Sequence, residues 1–179
     1  MALGVTVEFS TETGSPAVCS ELQMRKGKSM IYGVSPDAKR YYKELEKDQQ
    51  FASPIPWEDI DPAKYSGLVI VGGQAPHYTH YLESALLAAR LSKFWALRRP
   101  IGAIAQGPLL LSRAKFSSGN SILYNTKTTG LPKYIEEASF YIDALAFWKE
   151  GTHQILDVKS CEENLIQNLA GAKKPCLFI

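Results

Sequence analysis

Continuous and alternating runs of apolar residues along the chain predict its strands. Val5–Phe9 alternates apolar and polar side chains, which is typical of a half-buried strand. Leu68–Val71 and Ile101–Ala105 are apolar throughout, as expected of parallel strands that are covered on both faces. Two further runs, Ser121–Tyr124 and Pro175–Ile179, also favour strands. Residues 10–35 have no clear period and predict mainly loop.

Helical signals separate these runs. Ser35, Pro36 and Asp37 have the order of a cap, a first helical residue and an early acid, and predict a helix to about Gln50. Ser53–Pro56 breaks that helix. Short helical turns are expected at 57–60 and 62–64. Longer helices are expected from about Thr79 to Arg98, from about Pro132 to Trp148 and from about Ser160 to Ala170, and another helix is expected to end near Arg113.

The longest of these predicted helices has a clear apolar stripe. Leu87, Leu91 and Phe94 fall on one face at helical spacing, and Pro100 stops the segment. Because strands and helices alternate along the chain, we expect an α/β protein with a mainly parallel sheet. We find no repeat and no second domain, so residues 1–179 are interpreted as one domain.

Composition and charge exclude several classes of partner. The chain has 20 basic and 18 acidic residues, a net charge of +2, so we expect neither nucleic acid nor a membrane as partner. Its three cysteines and three histidines form no metal-ligand spacing, and we expect no metal and no cofactor. No signal peptide and no apolar run of membrane-spanning length is present, which favours a cytoplasmic protein.

The residues that carry chemical information lie where the second apolar strand turns sharply into a helix. Ile101–Ala105 runs directly into Gln106, Gly107 and Pro108. Such a turn holds one side chain, here Ala105, above the amino terminus of the helix. Ligands of open α/β sheets bind outside the carboxyl ends of the strands, where this turn lies. The sequence therefore predicts a small-molecule pocket at Ala105.

This segment resembles a known family motif. Ala103–Pro108 reads Ala-Ile-Ala-Gln-Gly-Pro and is similar to the Ala-Ile-Cys-His-Gly-Pro of the ThiJ/PfpI family, in the class I glutamine amidotransferase-like superfamily. In that family the cysteine is the nucleophile. Ala105 occupies the cysteine position here, and Gln106 occupies the histidine position. The resemblance implies a flavodoxin-like three-layer sandwich.

Two other segments extend the resemblance. Leu68–Gln74 resembles the strand and Pro-Gly-Gly-His loop of the family, and Thr128–Lys133 resembles the segment that opens the helix behind its site. The family places an oxyanion hole on backbone N–H groups that correspond to Gly73 and Gln106. The resemblance also implies a chain shortened at both ends, without the family's first strand. A homodimer or a rearranged sheet would then cover the exposed edges.

The candidate site residues follow from these segments. The binding candidates are Gly72, Gly73, Gln74, Gln106 and Gly107. His77 is the candidate for proton transfer, since it follows the glycine loop, although a histidine at such a position is more often a plain surface residue. Gln106 has two open roles, as a ligand contact or as a partner of local backbone.

Two interpretations of function stay open. The first is a non-catalytic or small-molecule-binding protein. The methyl group of Ala105 cannot act as a nucleophile, so cysteine-dependent amidotransferase, protease or deglycase activity is not expected. The second is a lyase or hydrolase of a different mechanism, acting on a small carbonyl compound or metabolic intermediate.

Cys176–Ile179 also matches the pattern of a prenylation signal, and a buried strand explains the same residues.

Overall fold

The structure is a computed structural model that describes residues 4–19, 24, 34–72, 78–130, 134, 165–166 and 169. The chain divides into two compact units, Met1–Ile60 and Asp61–Ile179. Each unit contains one pair of parallel strands with helices, which confirms a mixed α/β class with parallel strands. No described helix is both long enough and apolar enough to cross a bilayer.

The first unit is built around two short strands. β1 (Ser10–Thr11) pairs in parallel with β2 (Ile55–Pro56), and Ser10 lies opposite Ile55. The prediction of a strand at 5–9 is wrong, since pairing begins only where the Ile55 N–H donates to the Phe9 carbonyl at 2.9 Å. At β2 the sequence predicts only a break in the preceding helix. This segment is a short strand in a two-stranded sheet, and proline is tolerated at such an edge because one side of the strand needs no N–H donor.

The predicted helix after Ser35 begins where expected and ends early. In α1 (Pro36–Leu45), the Ser35 hydroxyl accepts from the Ala38 N–H at 3.1 Å, which confirms the predicted cap. A second helix, α2 (Gln49–Ala52), follows instead of a continuous one. The Asp48 carboxylate caps it by accepting from the N–H groups of Gln50 and Phe51. Asp48 thereby offers the backbone an alternative to continued helix. A 3₁₀ turn, Trp57–Asp59, matches the predicted short turn.

The second unit contains the sheet that carries the candidate site. β3 (Leu68–Ile70) pairs in parallel with β4 (Ile101–Ala103), with Leu68 opposite Ile101 and Ile70 opposite Ala103. Both strands were predicted, each slightly longer. The expectation that both faces of β3 are covered is wrong within the described residues. Ile70 is 3% exposed, whereas Val69 is 64% exposed, because alternate side chains point to opposite faces.

The segments between β3 and β4 and after β4 form helices. They are α3 (Tyr78–Glu83), α4 (Ala85–Ala96) and α5 (Gly107–Arg113). α3 and α4 replace the single helix predicted from Thr79 to Arg98, since the Ser84 hydroxyl caps α4 by accepting from the Leu87 N–H at 3.2 Å. The predicted stripe of α4 is confirmed, with Leu87, Leu91 and Phe94 all buried.

The core of the second unit forms around α5. This helix packs against α3 and α4, and its Leu109, Leu110 and Leu111 are all buried. Burying each such leucine stabilises the fold by about 1.5–3 kcal/mol. Leu109 and Leu110 are only 2% and 1% exposed, so the helix that follows the candidate site is held firmly on its apolar side.

Arg99 fixes the start of the second unit to the start of β4. Its Nη1 donates to the carbonyls of Pro62 at 3.2 Å and Ala63 at 2.9 Å, and also to the carbonyl of Tyr65. Pro62 and Ala63 lie in a 3₁₀ turn, Pro62–Lys64, which the sequence also predicted. A single guanidinium thus donates hydrogen bonds to three backbone carbonyls, at and just after the short turn, that have no N–H donor from a continuing helix.

The predicted strand Ser121–Tyr124 is wrong. Ser121 forms a single antiparallel bridge with Lys115, and residues 122–125 turn. The Ser121 hydroxyl accepts from the Leu123 N–H at 3.2 Å, and this local bond competes with a strand ladder. The predicted helices 132–148 and 160–170 and the predicted strand 175–179 lie outside the described residues, apart from residues 134, 165–166 and 169.

Candidate functional site

A tight turn from Ile104 to Gly107, called the elbow turn below, joins β4 to α5. The Ile104 N–H donates to the Ile70 carbonyl at 2.9 Å and so extends the pairing of β3 and β4 by one residue. The Gly107 N–H then donates back to the Ile104 carbonyl at 2.9 Å and closes the turn. The sharp change from strand to helix predicted from the sequence is present.

Ala105 adopts a backbone conformation that L-residues rarely use. Its φ is 53°, and Gln106 follows with φ −79° and ψ 0°. A positive φ at the first central position and these values at the second match a type II′ turn, in which glycine dominates the first position. Holding an L-residue other than glycine in such a sparsely populated conformation costs of order 1–3 kcal/mol. Ala105 is exposed, so the strained residue presents its methyl group at the surface.

Gly72 explains how the segment after β3 reaches the elbow turn. A Cβ built on Gly72 would lie 2.5 Å from the Gln106 nitrogen and 2.5 Å from the Ile104 oxygen. It would also lie 2.9 Å from the Ala105 Cβ. Only a residue without a side chain permits this approach of two backbones. The predicted site residues Gly72, Ala105 and Gln106 are therefore neighbours.

Gly107 serves the same purpose on the other side of the turn. A Cβ there would lie 2.9 Å from the Ile70 carbonyl oxygen and 3.3 Å from the Ala103 Cβ. Glycine thus lets α5 begin directly against the buried face of β3 and β4. By contrast, a Cβ on Gly102 would meet nothing closer than 3.8 Å.

Gln106 is buried, and within the described part of the chain one atom of its side chain has no hydrogen bond. The residue is 8% exposed, and no described residue donates to its Oε1. The Gln106 backbone carbonyl accepts from the Leu109 N–H at 2.9 Å. A buried carbonyl oxygen without a donor costs about 1–3 kcal/mol. The local-backbone role considered for this amide does not apply to Oε1.

The remaining predicted residues are placed as follows. Gly73, Gln74 and His77 lie outside the described residues, so the oxyanion pair of Gly73 with Gln106 and the role of His77 stay predictions. α5 has only seven residues, and Pro108 near its start has no N–H, so the amino terminus of this helix offers few free donors to a ligand. The described residues contain no group of side chains suited to hold a metal.

A shallow cleft of about 460 Å³ lies elsewhere in the second unit. It lies between the end of α3, the first half of α4 and the residues around the end of α5. Its lining residues are Leu82, Glu83, Ser84, Ala85, Ala88, Ala89, Ser92, Arg113 and Lys115. None of them is a predicted site residue. Sequence reasoning missed this cleft because small alanines beside charged residues on a helix look like an ordinary solvated face.

Comparison with known proteins identifies the family. A family model described as ThiJ/PfpI family-like matches residues 1–156, which is most of the chain. The chain belongs to the ThiJ/PfpI-like family. Within the family frame, Ala105 occupies the strained position of the elbow turn. The resemblance noted for Ala103–Pro108 is thus part of a match that extends well beyond this motif.

Solved structures share the fold of this ThiJ/PfpI-like chain. The Francisella tularensis Rapid Encystment Protein of 24 kDa (REP24) superposes with a TM-score of 0.64 at 16% identity, covering 99% of this chain and 69% of that one. Candida albicans glyoxalase III superposes with a TM-score of 0.58 at 12% identity, covering 96% of this chain and 64% of that one. This chain therefore spans about two thirds of the length of both. No curated protein sequence matches it significantly.

Proposed function

We propose that this protein binds a small molecule at the elbow turn and does not perform cysteine-dependent catalysis. The observation that carries the proposal is Ala105, which has a φ of 53° and is exposed. A strained backbone conformation persists only where its surroundings enforce it, and such strain clusters at functional sites. Here the geometry of a nucleophile position is combined with a residue that has no nucleophile.

The chemistry of Ala105 limits the reaction. A methyl group has no lone pair, so it cannot attack a carbonyl and form the covalent intermediate of nucleophilic catalysis. Gln106 beside it does not titrate and cannot act as a general base. The two residues at the centre of the turn therefore supply shape and hydrogen bonding but no group that transfers a proton.

The position of the turn supports a binding role. It follows the carboxyl end of β4, one of two parallel strands, and ligands of parallel α/β sheets bind at that end. Gly72 brings the segment after β3 to the same place. One structural neighbour is named glyoxalase III, which makes small carbonyl compounds the first ligands to test.

A binding experiment with small carbonyl compounds tests the proposal. Pyruvate, pyruvamide and lactamide would be titrated into ¹⁵N-labelled protein, with the amide signals of Ile104, Ala105 and Gly107 as readout. We expect saturable shifts at these amides. Ala105→Leu should weaken binding by filling the space in front of the turn, whereas the exposed Ala96→Leu in α4 should not. Shifts that never saturate, or that are equal in the two variants, contradict a site at Ala105.

A turnover measurement separates binding from the alternative enzyme. We expect the protein to leave the same compounds, and glyoxal, chemically unchanged. Steady conversion that survives alkylation of every thiol would favour the lyase or hydrolase of non-cysteine mechanism. His77 would then be the first residue to replace. The homodimer expected from the resemblance remains a prediction, which light scattering checks.

A further inference from the structure

We propose that Oε1 of Gln106 accepts a hydrogen bond from an N–H or O–H group of the ligand, so that the elbow turn selects small carbonyl compounds with a neighbouring donor. Hydroxy-carbonyl and amino-carbonyl compounds and carboxamides belong to this class. The inference rests on the proposed binding function. It adds that the ligand donates a hydrogen bond at this position, which neither the family match nor the resemblance assigns.

The first support is that Oε1 is buried without a partner. Gln106 is more than nine-tenths buried, and Oε1 has no hydrogen-bond partner among the residues that the structure describes. Nearly all buried polar groups in native proteins have a partner, so an exception calls for an explanation. A ligand that carries a donor would satisfy this oxygen, and Gln106 directly follows the exposed Ala105 in the elbow turn.

The second support is that the backbone donors that follow Gln106 in α5 are already used. The Gly107 N–H donates to the Ile104 carbonyl, and the Leu109 N–H donates to the Gln106 carbonyl, each at 2.9 Å. Pro108 between them has no N–H. A shift of the side chain along α5 would therefore find no free donor on these three residues.

The chemistry of the amide defines what that partner is. A carboxamide oxygen only accepts hydrogen bonds, and the group keeps this character at all ordinary pH values because it does not ionise. A site built around a buried acceptor discriminates strongly against an analogue that lacks the donor, since binding would leave the acceptor unpaired. Gln106 thus acts as a specificity-determining residue in a site whose shape is set by the turn.

A matched pair of probes tests this inference. Lactamide carries hydroxyl and amide donors, whereas 2-methoxy-N,N-dimethylpropanamide has a similar carbonyl skeleton and no donor. The dissociation constants of both would be measured by the amide shifts of Ala105 and Gly107, in wild-type protein and in the variants Gln106→Met and Gln106→Glu. Met has nearly the length of Gln without its acceptor, whereas Glu keeps an acceptor.

The expected pattern is specific. Wild-type protein should bind lactamide at least about tenfold more tightly than the donor-free probe, the effect of one well-made hydrogen bond. Gln106→Met should remove this preference, and Gln106→Glu should keep it. If wild-type protein does not distinguish the probes, or if Gln106→Met retains the preference, the inference is overturned while the proposed binding site stands. If neither probe binds at the turn, both proposals fail together.

Thermal unfolding without ligand gives an independent readout. Removing an unpaired buried acceptor should relieve its desolvation cost, so Gln106→Met and Gln106→Leu should each raise the Tm by about 2–4 °C. A merely structural glutamine would give the opposite sign. A lower Tm in both apolar variants means that Oε1 is bonded in the free protein, and it overturns the inference.

Discussion

Gly72 approaches Gln106 so closely that a single added carbon on Gly72 would lie 2.5 Å from the Gln106 backbone nitrogen. The same carbon would lie 2.5 Å from the Ile104 oxygen, so it would meet backbone on two sides. Backbone atoms cannot rotate away as a flexible side chain can. The distance between the segment after β3 and the elbow turn is therefore set by the absence of a side chain.

Gly72→Ala should consequently separate these two segments and destabilise the protein by about 3 kcal/mol, the upper part of the usual range for overpacking. The measurement is urea unfolding followed by circular dichroism. Gly102→Ala is the matched control, because its new Cβ would meet nothing closer than 3.8 Å. We expect the control to change the free energy of unfolding by less than about 1 kcal/mol. Equal losses in the two variants would contradict the close approach.

Ala105→Gly should stabilise the fold by about 1 kcal/mol, because glycine adopts a positive φ without the steric cost that alanine has. Arg98 provides a control, since it is exposed and has nearly the same φ, 54°, at the end of α4. Arg98→Gly should give a similar gain in unfolding free energy. Only Ala105→Gly should alter ligand shifts at the turn. A loss of stability in Ala105→Gly would show that Ala105 does not have a positive φ in solution.

Ala105→Cys should place a reactive thiol at the surface of the turn. We expect iodoacetamide to modify position 105, as peptide mass spectrometry would show against the wild-type pattern of cysteine labelling. Turnover of small aldehydes should remain low in this variant, because Gln106 cannot transfer a proton. Adding Gln106→His should raise the rate by about 10², the lower end of general acid–base contributions. No gain from the second change would argue against Gln106 occupying a proton-transfer position.

Arg99→Met should destabilise the second unit by about 2–3 kcal/mol, since three carbonyls lose a charged donor. Arg98→Met is the adjacent control, because Arg98 is exposed, and its loss should stay within about 0.5 kcal/mol. Thermal unfolding of both variants measures the difference. Comparable Tm values for the two would mean that the bonds of Arg99 to the Pro62–Lys64 turn contribute little.

Local signals were sufficient to predict much of the fold. The Ser35 cap depends on residues close in sequence, and the stripe of Leu87, Leu91 and Phe94 on one repeating interval, so both were predicted and confirmed. Strands are harder, because a strand needs a distant partner. Val5–Phe9 has a strand pattern but pairs only from its end, whereas Ile55–Pro56 has little pattern and is paired.

The candidate site divides in the same way. The turn at Ala105 could be predicted because strand, turn and helix residues follow one another directly in Ile101–Pro108. The unpaired oxygen of Gln106 could not, because it depends on which donors the fold leaves nearby. The need for glycine at position 72 likewise arises from segments about thirty residues apart in sequence that meet only after folding.

The direct backbone contact at Gly72 has a mechanical consequence. No side chain lies between the two segments at that point, so a displacement of one cannot be absorbed by a change of rotamer. Movement of the segment after β3 must shift the elbow turn, and α5 continues from the turn into the interior through Leu109 and Leu110. A ligand bound at the elbow turn would therefore also restrain α5, whose leucines lie in the core of the second unit. We expect its binding to slow amide hydrogen exchange along α5.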